Sequence, residues 1–391
     1  MSDNPEDKPR LGTVGNIGKP ILLTDVNMHG VSSKAAQCGE QVDIWVRLAM
    51  TSDDRNFHRI VHGLCGVIHH HAQSAGSSVN LDRASTIVLI IRHDDRAELW
   101  VDTAAVSVNI MVKRSMAAGS VVFENDIADV TDMWFPALTI EKTDRIVVLF
   151  RKDWAFGLYF DFNPDQELDT ETARRNLGRL YRILKYRHLY DTMADATVVE
   201  KLTKAGWFPF VEILGSEFRN LANSCEADFP LEDVESTLVA SFNNERLDRM
   251  VARWASKPHF QGKLPLLQAA VQHFKAKEPI ATIKIALTEI EGVLRAAYPI
   301  TAKPRPRIAD LLEYAIDTAT QKAGGVDTLL LPEAFAQYLN GYTFAHFNPA
   351  VSQGTAGSRH AVGHGAAETD SYTQVRALQV LLTLDQLAFC T

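Results

Sequence analysis

The chain has 391 residues, 46% of them hydrophobic and 23% charged, with a formal net charge of -8, so two or three domains with cores of their own are expected and a wholesale nucleic-acid coat is excluded, though a local basic site is not. Its four cysteines, Cys38, Cys65, Cys225 and Cys390, are far apart with no CxxC pair, which argues against a zinc ribbon or a disulfide framework and fits a reducing, cytoplasmic compartment. No apolar run reaches the ~18 residues of a membrane span, and the polar start Met1 to Arg10 is unlike a signal peptide, so no membrane partner is expected.

Residues 1–19 carry Pro, Gly, Asn and Asp with little to bury and read as a mobile tail. From 20 to 165 the pattern is short and β-like. Val42 to Val46 alternates, Thr86 to Arg92 is a continuous apolar run suited to a buried strand, and Glu98 to Asp102, Val106 to Val112, Ile146 to Phe150 and Phe156 to Phe162 follow. Arg59 to Ala75 is the helix candidate among them. These signals predict an α+β domain on a largely antiparallel sheet, of unassigned role. It has no GxGxxG or P-loop pattern, so no nucleotide cofactor is implied.

At Asn163-Pro164-Asp165 the period turns helical, and 166–227 reads as a helical connector. Within Thr170 to Asp191, Leu177, Tyr181, Leu184 and His188 share one face while Arg175, Arg179, Arg182 and Tyr186 share another. That second face could touch phosphates, but a solvated basic stripe is the ordinary reading. From about Val198 to Ala227, Gly206, Pro209 and Gly215 interrupt the pattern.

Residues 228–391 predict an all-α helical bundle, with helices over Leu231 to Trp254, Leu264 to Lys277, Ile280 to Tyr298, Ile308 to Ala323 and Pro332 to Tyr338, and an amphipathic one over Tyr372 to Phe389. Pro230, Pro279 and Pro332 mark starts and Gly324-Gly325 a stop. Thr301 to Arg307 is a basic, proline-stiffened connection. Asn348 to Ser358 is a loop delivering the chain to its densest cluster of chemistry-bearing side chains.

That cluster is Ser358-Arg359-His360-Ala361-Val362-Gly363-His364-Gly365. A histidine titrates near neutrality and can move a proton, while an arginine presents a permanent fork of donors to phosphate oxygens. Together they suit RNA cleavage by attack of the 2′-hydroxyl on the adjacent phosphate, with no metal required. Arg359 and His364 are separated by about 140° on a straight helix, so a helix start near Ser358 or a cleft must bring them together. Gly363 and Gly365, poor in a helix interior, suggest close approach by another helix, a ligand or a second chain.

Arg359 to His364 resembles the signature of the HEPN superfamily of helical domains, an arginine and a histidine separated by four to six residues near the start of the last long helix. The flanks His364-Gly365, Tyr372 and Leu378 to Leu387 are similar as well, as is Ile290-Glu291-Gly292-Val293-Leu294-Arg295 on an upstream helix. Ser358 departs from the asparagine many relatives carry. The resemblance covers about Leu231 to Thr391. It implies a HEPN-like bundle, often homodimeric, in a metal-independent endoribonuclease of toxin or phage-defence systems, with RNA as substrate and an antitoxin-like partner in some settings. By the same resemblance Arg359 would stabilise the phosphate and His364 act as acid/base, His360 would assist, Glu291 would orient Arg359, and Tyr372 would join Arg359 in holding substrate. The alternative is a non-catalytic nucleotide- or RNA-binding or dimerisation module of the same fold.

Other residues carry weaker signals. His360 and His364 have the i, i+4 spacing of metal ligands, but no third ligand is evident. His58, His62 and His69-His70-His71 crowd the first predicted helix and read as surface histidines, with Cys65 as a small core residue beside them. Asp161, Asp165 and the Asp94-Asp95 pair look like strand-end and turn residues.

Overall fold

A computed structural model describes residues 15–165, 167–299, 305–345 and 354–391. Most of the expected tail, part of the 301–307 connection and most of the 348–358 loop therefore lie outside the described residues. The chain divides into two compact units, one formed by residues up to 109 with 130–185, the other by 110–129 with 186–391.

The first unit is built on a six-stranded sheet of β1 (Ile21–Leu23), β6 (Ala97–Val101), β5 (Thr86–Ile91), β9 (Arg145–Lys152), β10 (Ala155–Asp161) and β4 (Arg47–Thr51), in that order. Every pairing in it is antiparallel, so the expected antiparallel sheet is present. Strand β5 explains its own sequence. Ile87, Leu89 and Ile91 share a core with Phe57, Ile60, Leu64 and Ile68 of α1 (Phe57–Ser74). Val88 and Ile90 share a second core with Ala173, Leu177, Leu180 and Leu184 of α2 (Thr170–Lys185). A strand covered on both faces needs apolar residues at every position, which is why no alternation was visible. Of the alternating run at 42–46, only β3 (Ile44–Trp45) is a strand, paired with β2 (Val31–Ser32). Strands β7 (Ser107–Val112) and β8 (Ile127–Trp134) pair with each other, and the segment between them is counted with the second unit.

Turn and strand-end aspartates behave as expected. Asp95 takes a left-handed φ of 62°, and Asp161, 1% exposed, accepts from Arg47 Nε at 2.6 Å. The basic stripe does not form one solvated face. Arg175 and Arg179 are exposed, but Arg182 is buried and donates to the Val130 carbonyl, and Tyr186 is buried too.

From Tyr186 onward the second unit is built of helices. Its helices are α3 (Arg187–Ala194), α4 (Ala196–Lys204), α5 (Ser216–Glu226), α6 (Glu232–Ser241), α7 (Asn244–Ala255), α8 (Pro258–Gln261), α9 (Leu264–Lys275), α10 (Pro279–Ala297), α11 (Ile308–Ala323), α12 (Pro332–Tyr338), α13 (Arg359–Gly363) and α14 (Gln374–Cys390). The single helix expected over 231–254 is two, because Asn243 accepts a hydrogen bond from the Arg246 amide at 2.9 Å and starts a new helix. The interrupted stretch 198–227 is mostly α4 and α5 rather than a connection.

Helix α14 is the hub. Every residue from Ala377 to Cys390 is buried, and it packs against α6, α7, α9, α10 and α11. The expectation of an amphipathic helix is corrected here, since α14 has no solvent face. Its polar residues carry directional contacts inside the core instead. Gln386 accepts from the Val211 amide at 2.8 Å and donates to the Leu330 carbonyl at 3.0 Å. Asp385 accepts from Trp254 Nε1 at 3.0 Å and from Arg253. Buried polar groups persist because each has a partner. Among the described residues no helix is long and apolar enough to cross a membrane.

Candidate functional site

The Arg359-to-His364 segment is a short helix closed at both ends by its own sequence. Ser358 is the N-cap, its hydroxyl 3.4 Å from the Ala361 amide that donates to it. At the other end the Ala366 amide donates to the Ala361 carbonyl at 2.8 Å and the Gly365 amide to that of Val362 at 3.2 Å, the paired bonds of a Schellman stop. Gly365 has φ 68°, a left-handed position that suits glycine. The glycine is thus explained within one chain. A side chain added at Gly363 or Gly365 would meet nothing within 4 Å among the described residues, so no other helix of this chain makes the close approach.

The close approach falls on Gly357. A Cβ there would overlap the hydroxyl of Tyr342. That hydroxyl also accepts from Arg376 Nη1 at 2.6 Å, and the same nitrogen donates to Gln379 Oε1 at 2.7 Å and the Ala205 carbonyl at 2.5 Å. Tyr342 therefore seats the backbone just before Arg359 against the first turns of α14.

Helix α10 supplies the charged wall. Arg359 Nη2 donates to Glu291 Oε2 at 2.6 Å, while Glu291 Oε1 accepts from Arg295 Nε at 2.7 Å. One carboxylate, 14% exposed, therefore bridges two arginines. Arg359 Nε has no hydrogen-bond partner among the described residues. Seven residues before Glu291, on the same helix face, Lys284 is exposed and its ammonium lies 5.9 Å from the Tyr372 ring centre. Burial holds the Tyr372 phenol above its usual pKa. His364, at the C-cap of α13, is exposed, and no hydrogen bond joins its ring to Arg359 among the described residues. His360 is half-buried.

The structure thus joins Glu291 to Arg359 and brings Tyr372 near Lys284 of α10, while no hydrogen bond joins Arg359 to His364 among the described residues. Sequence reading gave no role to Arg295 or Lys284, although their offsets of four and seven from Glu291 put them on its face. It also missed Tyr342, whose contact with Gly357 has no local signal. No family model, no curated protein and no solved structure matches the chain.

Arg359 and Arg295 meet on the Glu291 carboxylate, Lys284 is exposed seven residues before it on the same face of α10, and His364 is exposed at the C-cap of α13. Guanidinium and ammonium groups there can take phosphate oxygens, and an exposed imidazole can exchange protons with solvent or substrate. Elsewhere, the histidines of α1 do not converge. His58, His62 and His70 are exposed, and among the described residues no three His, Cys, Asp or Glu side chains are placed to hold a metal. Burial raises the Cys65 thiol pKa, which suits an inert packing residue.

Proposed function

We propose that the chain is a metal-independent endoribonuclease of the HEPN type, working as a homodimer through its helical unit. The observation that carries this reading is the Glu291 bridge. It fixes one edge of the Arg359 guanidinium against α10, beside the exposed Arg295 and Lys284, while Arg359 Nε is buried with no hydrogen-bond partner among the described residues. In the reaction Arg359 binds the scissile phosphate and holds the charge that develops as the 2′-oxygen attacks. His364 accepts the 2′-hydroxyl proton or returns one to the departing 5′-oxygen, giving a cyclic phosphate and a 5′-hydroxyl. His360 assists, and Tyr372 contributes to substrate binding. A preorganised donor on developing charge contributes about 10²–10³-fold, and proton transfer about 10²–10⁴-fold. In the homodimer the histidine of one copy works with the arginine of the other. A toxin or phage-defence setting, with an antitoxin-like partner restraining the cut, belongs to the same proposal.

The test is cleavage of single-stranded and structured RNA in EDTA by the wild type, Arg359→Ala and His364→Ala. Cleavage by the wild type that both variants lose supports the proposal. One observation favours a second reading, a non-catalytic RNA-binding or dimerisation module: Arg359 is already engaged by Glu291. RNA retention without cleavage would select that reading. Cleavage that EDTA abolishes would sink the metal-independent mechanism.

A further inference from the structure

A second cluster of charge lies in the helical unit, apart from α13. A cleft of about 630 Å³ is lined by Lys113, Arg114, Phe123 and Asp126, by Glu212 and Glu217, and by the arginines of α7. Its volume suits a drug-sized or mononucleotide-sized ligand.

The arginines of this cleft are all matched. Arg246 donates to Glu212 at 3.0 Å and to both oxygens of Glu217 at 2.7 and 2.8 Å. Arg253 donates to Glu212 at 3.1 Å and to Asp385. Arg114 grips Asp126 with two bonds of 2.6 and 2.9 Å, and Arg249 donates to Glu245 at 2.7 Å. The carboxylates are therefore already engaged by arginines. Lys113 is different. Among the described residues its ammonium makes no hydrogen bond and no ion pair, although it lines the cleft. At the rim Phe123 is 64% exposed, an unusual position for a large apolar ring in a polar cleft.

We infer that this cleft is a binding site for a small phosphorylated ligand of the mononucleotide class, its phosphate on Lys113 and its base against Phe123. Lys113 is the one basic residue of the lining whose side chain makes no hydrogen bond or ion pair among the described residues, and a phosphate is a complementary partner for such an ammonium. Neutralising it also offsets a real cost. Burial, with Arg246 and Arg253 adding repulsion against the pull of Glu212 and Asp385, lowers the Lys113 pKa to about 8, and an anion would restore it. An exposed aromatic face accepts any base, so the site favours nucleotides over bare phosphate without choosing among bases.

The inference is independent of RNA cleavage, and its test is separate. Calorimetric titration of the full chain would use inorganic phosphate, adenosine and adenosine 5′-monophosphate. The nucleotide binds most tightly, and both of its parts alone bind more weakly. Lys113→Met weakens the nucleotide by about tenfold or more, and Phe123→Ala, a change at an exposed position, by roughly fivefold or more with phosphate unaffected. Arg359→Ala leaves the affinity unchanged. No saturable binding by the wild type, equal binding of nucleotide and adenosine, or full affinity in either cleft variant would overturn the inference. Loss of binding in Arg359→Ala but not in Lys113→Met would move the ligand to the other site and overturn it too.

Discussion

Glu291→Gln tests the bridge at the centre of the candidate site. The substitution keeps the shape of the side chain but removes its charge, and turns one acceptor into a donor facing a guanidinium. Hydrogen bonds to charged groups contribute about 1.5–3 kcal/mol when well formed. Here the carboxylate is 14% exposed, but Arg359 is 31% and Arg295 45% exposed, so solvent screens part of this. The expected loss of unfolding free energy is about 1–2 kcal/mol. A double-mutant cycle with Arg359→Met, read by urea unfolding, should return a coupling of about 1 kcal/mol. If Arg359 positions phosphate, Glu291→Gln also lowers the rate of RNA cleavage by about 10–100-fold with a smaller change in KM. A coupling below ~0.3 kcal/mol, with cleavage unchanged, would refute the claim that Glu291 holds Arg359.

Three further outcomes follow from the packing. Gly357→Ala forces a methyl group onto the hydroxyl and ring carbon Cζ of Tyr342 and should cost about 1–3 kcal/mol, part of which Tyr342→Leu, which removes the ring, recovers in the double variant while Tyr342→Phe, which keeps Cζ, does not; thermal unfolding of the variants shows whether this holds. Asp385→Ala leaves the guanidinium of Arg253, 8% exposed, with Glu212 and the Lys113 carbonyl, and losing one partner of a buried pair costs about 3–5 kcal/mol. A urea midpoint that barely moves would show that the pair is not needed. Nucleotide affinity at the Lys113 cleft should be highest below the free-state pKa of about 8 and fall as pH rises through it, because only the ammonium form pairs with phosphate. Calorimetry from pH 6.5 to 9 gives the slope, and Lys113→Met should flatten it.

Much of the first unit was legible from local pattern. The unbroken apolar run at 86–91 marked a strand buried on both faces, and the helix expected over 59–75 is present at 57–74. In the second unit, proline starts and the left-handed Gly324 fixed the ends of α10, α11 and α12 to within a residue or two. The break at Asn243 was visible as a capping residue and was passed over for the longer helical period. The nature of α14 was harder to read. Gln379, Thr383, Asp385 and Gln386 mimic a polar face, and only partners as distant as Trp254 and Val211 show that they are core residues. At the site, the Arg359–Glu291 pair was anticipated only through the family resemblance. Tyr342 and the Lys113 cleft were not, since each depends on side chains brought together from far along the chain.

The all-round burial of α14 also means that the helical unit cannot be excised at a single point. A fragment starting at 228 would lose the Ala205 carbonyl that receives Gln379 and Arg376, the Val211 amide that Gln386 accepts, and the Glu212 carboxylate that holds Arg253. Each orphaned buried group costs about 1–3 kcal/mol, and together they rival the ~5–15 kcal/mol that keeps an ordinary domain folded. Starting at 186 does not suffice either, because Asp129, from the segment between the two halves of the sheet unit, accepts the Leu329 amide at 3.1 Å. The two units are therefore interleaved along the chain, and a truncation that silences one half is no evidence that the other half carried the activity.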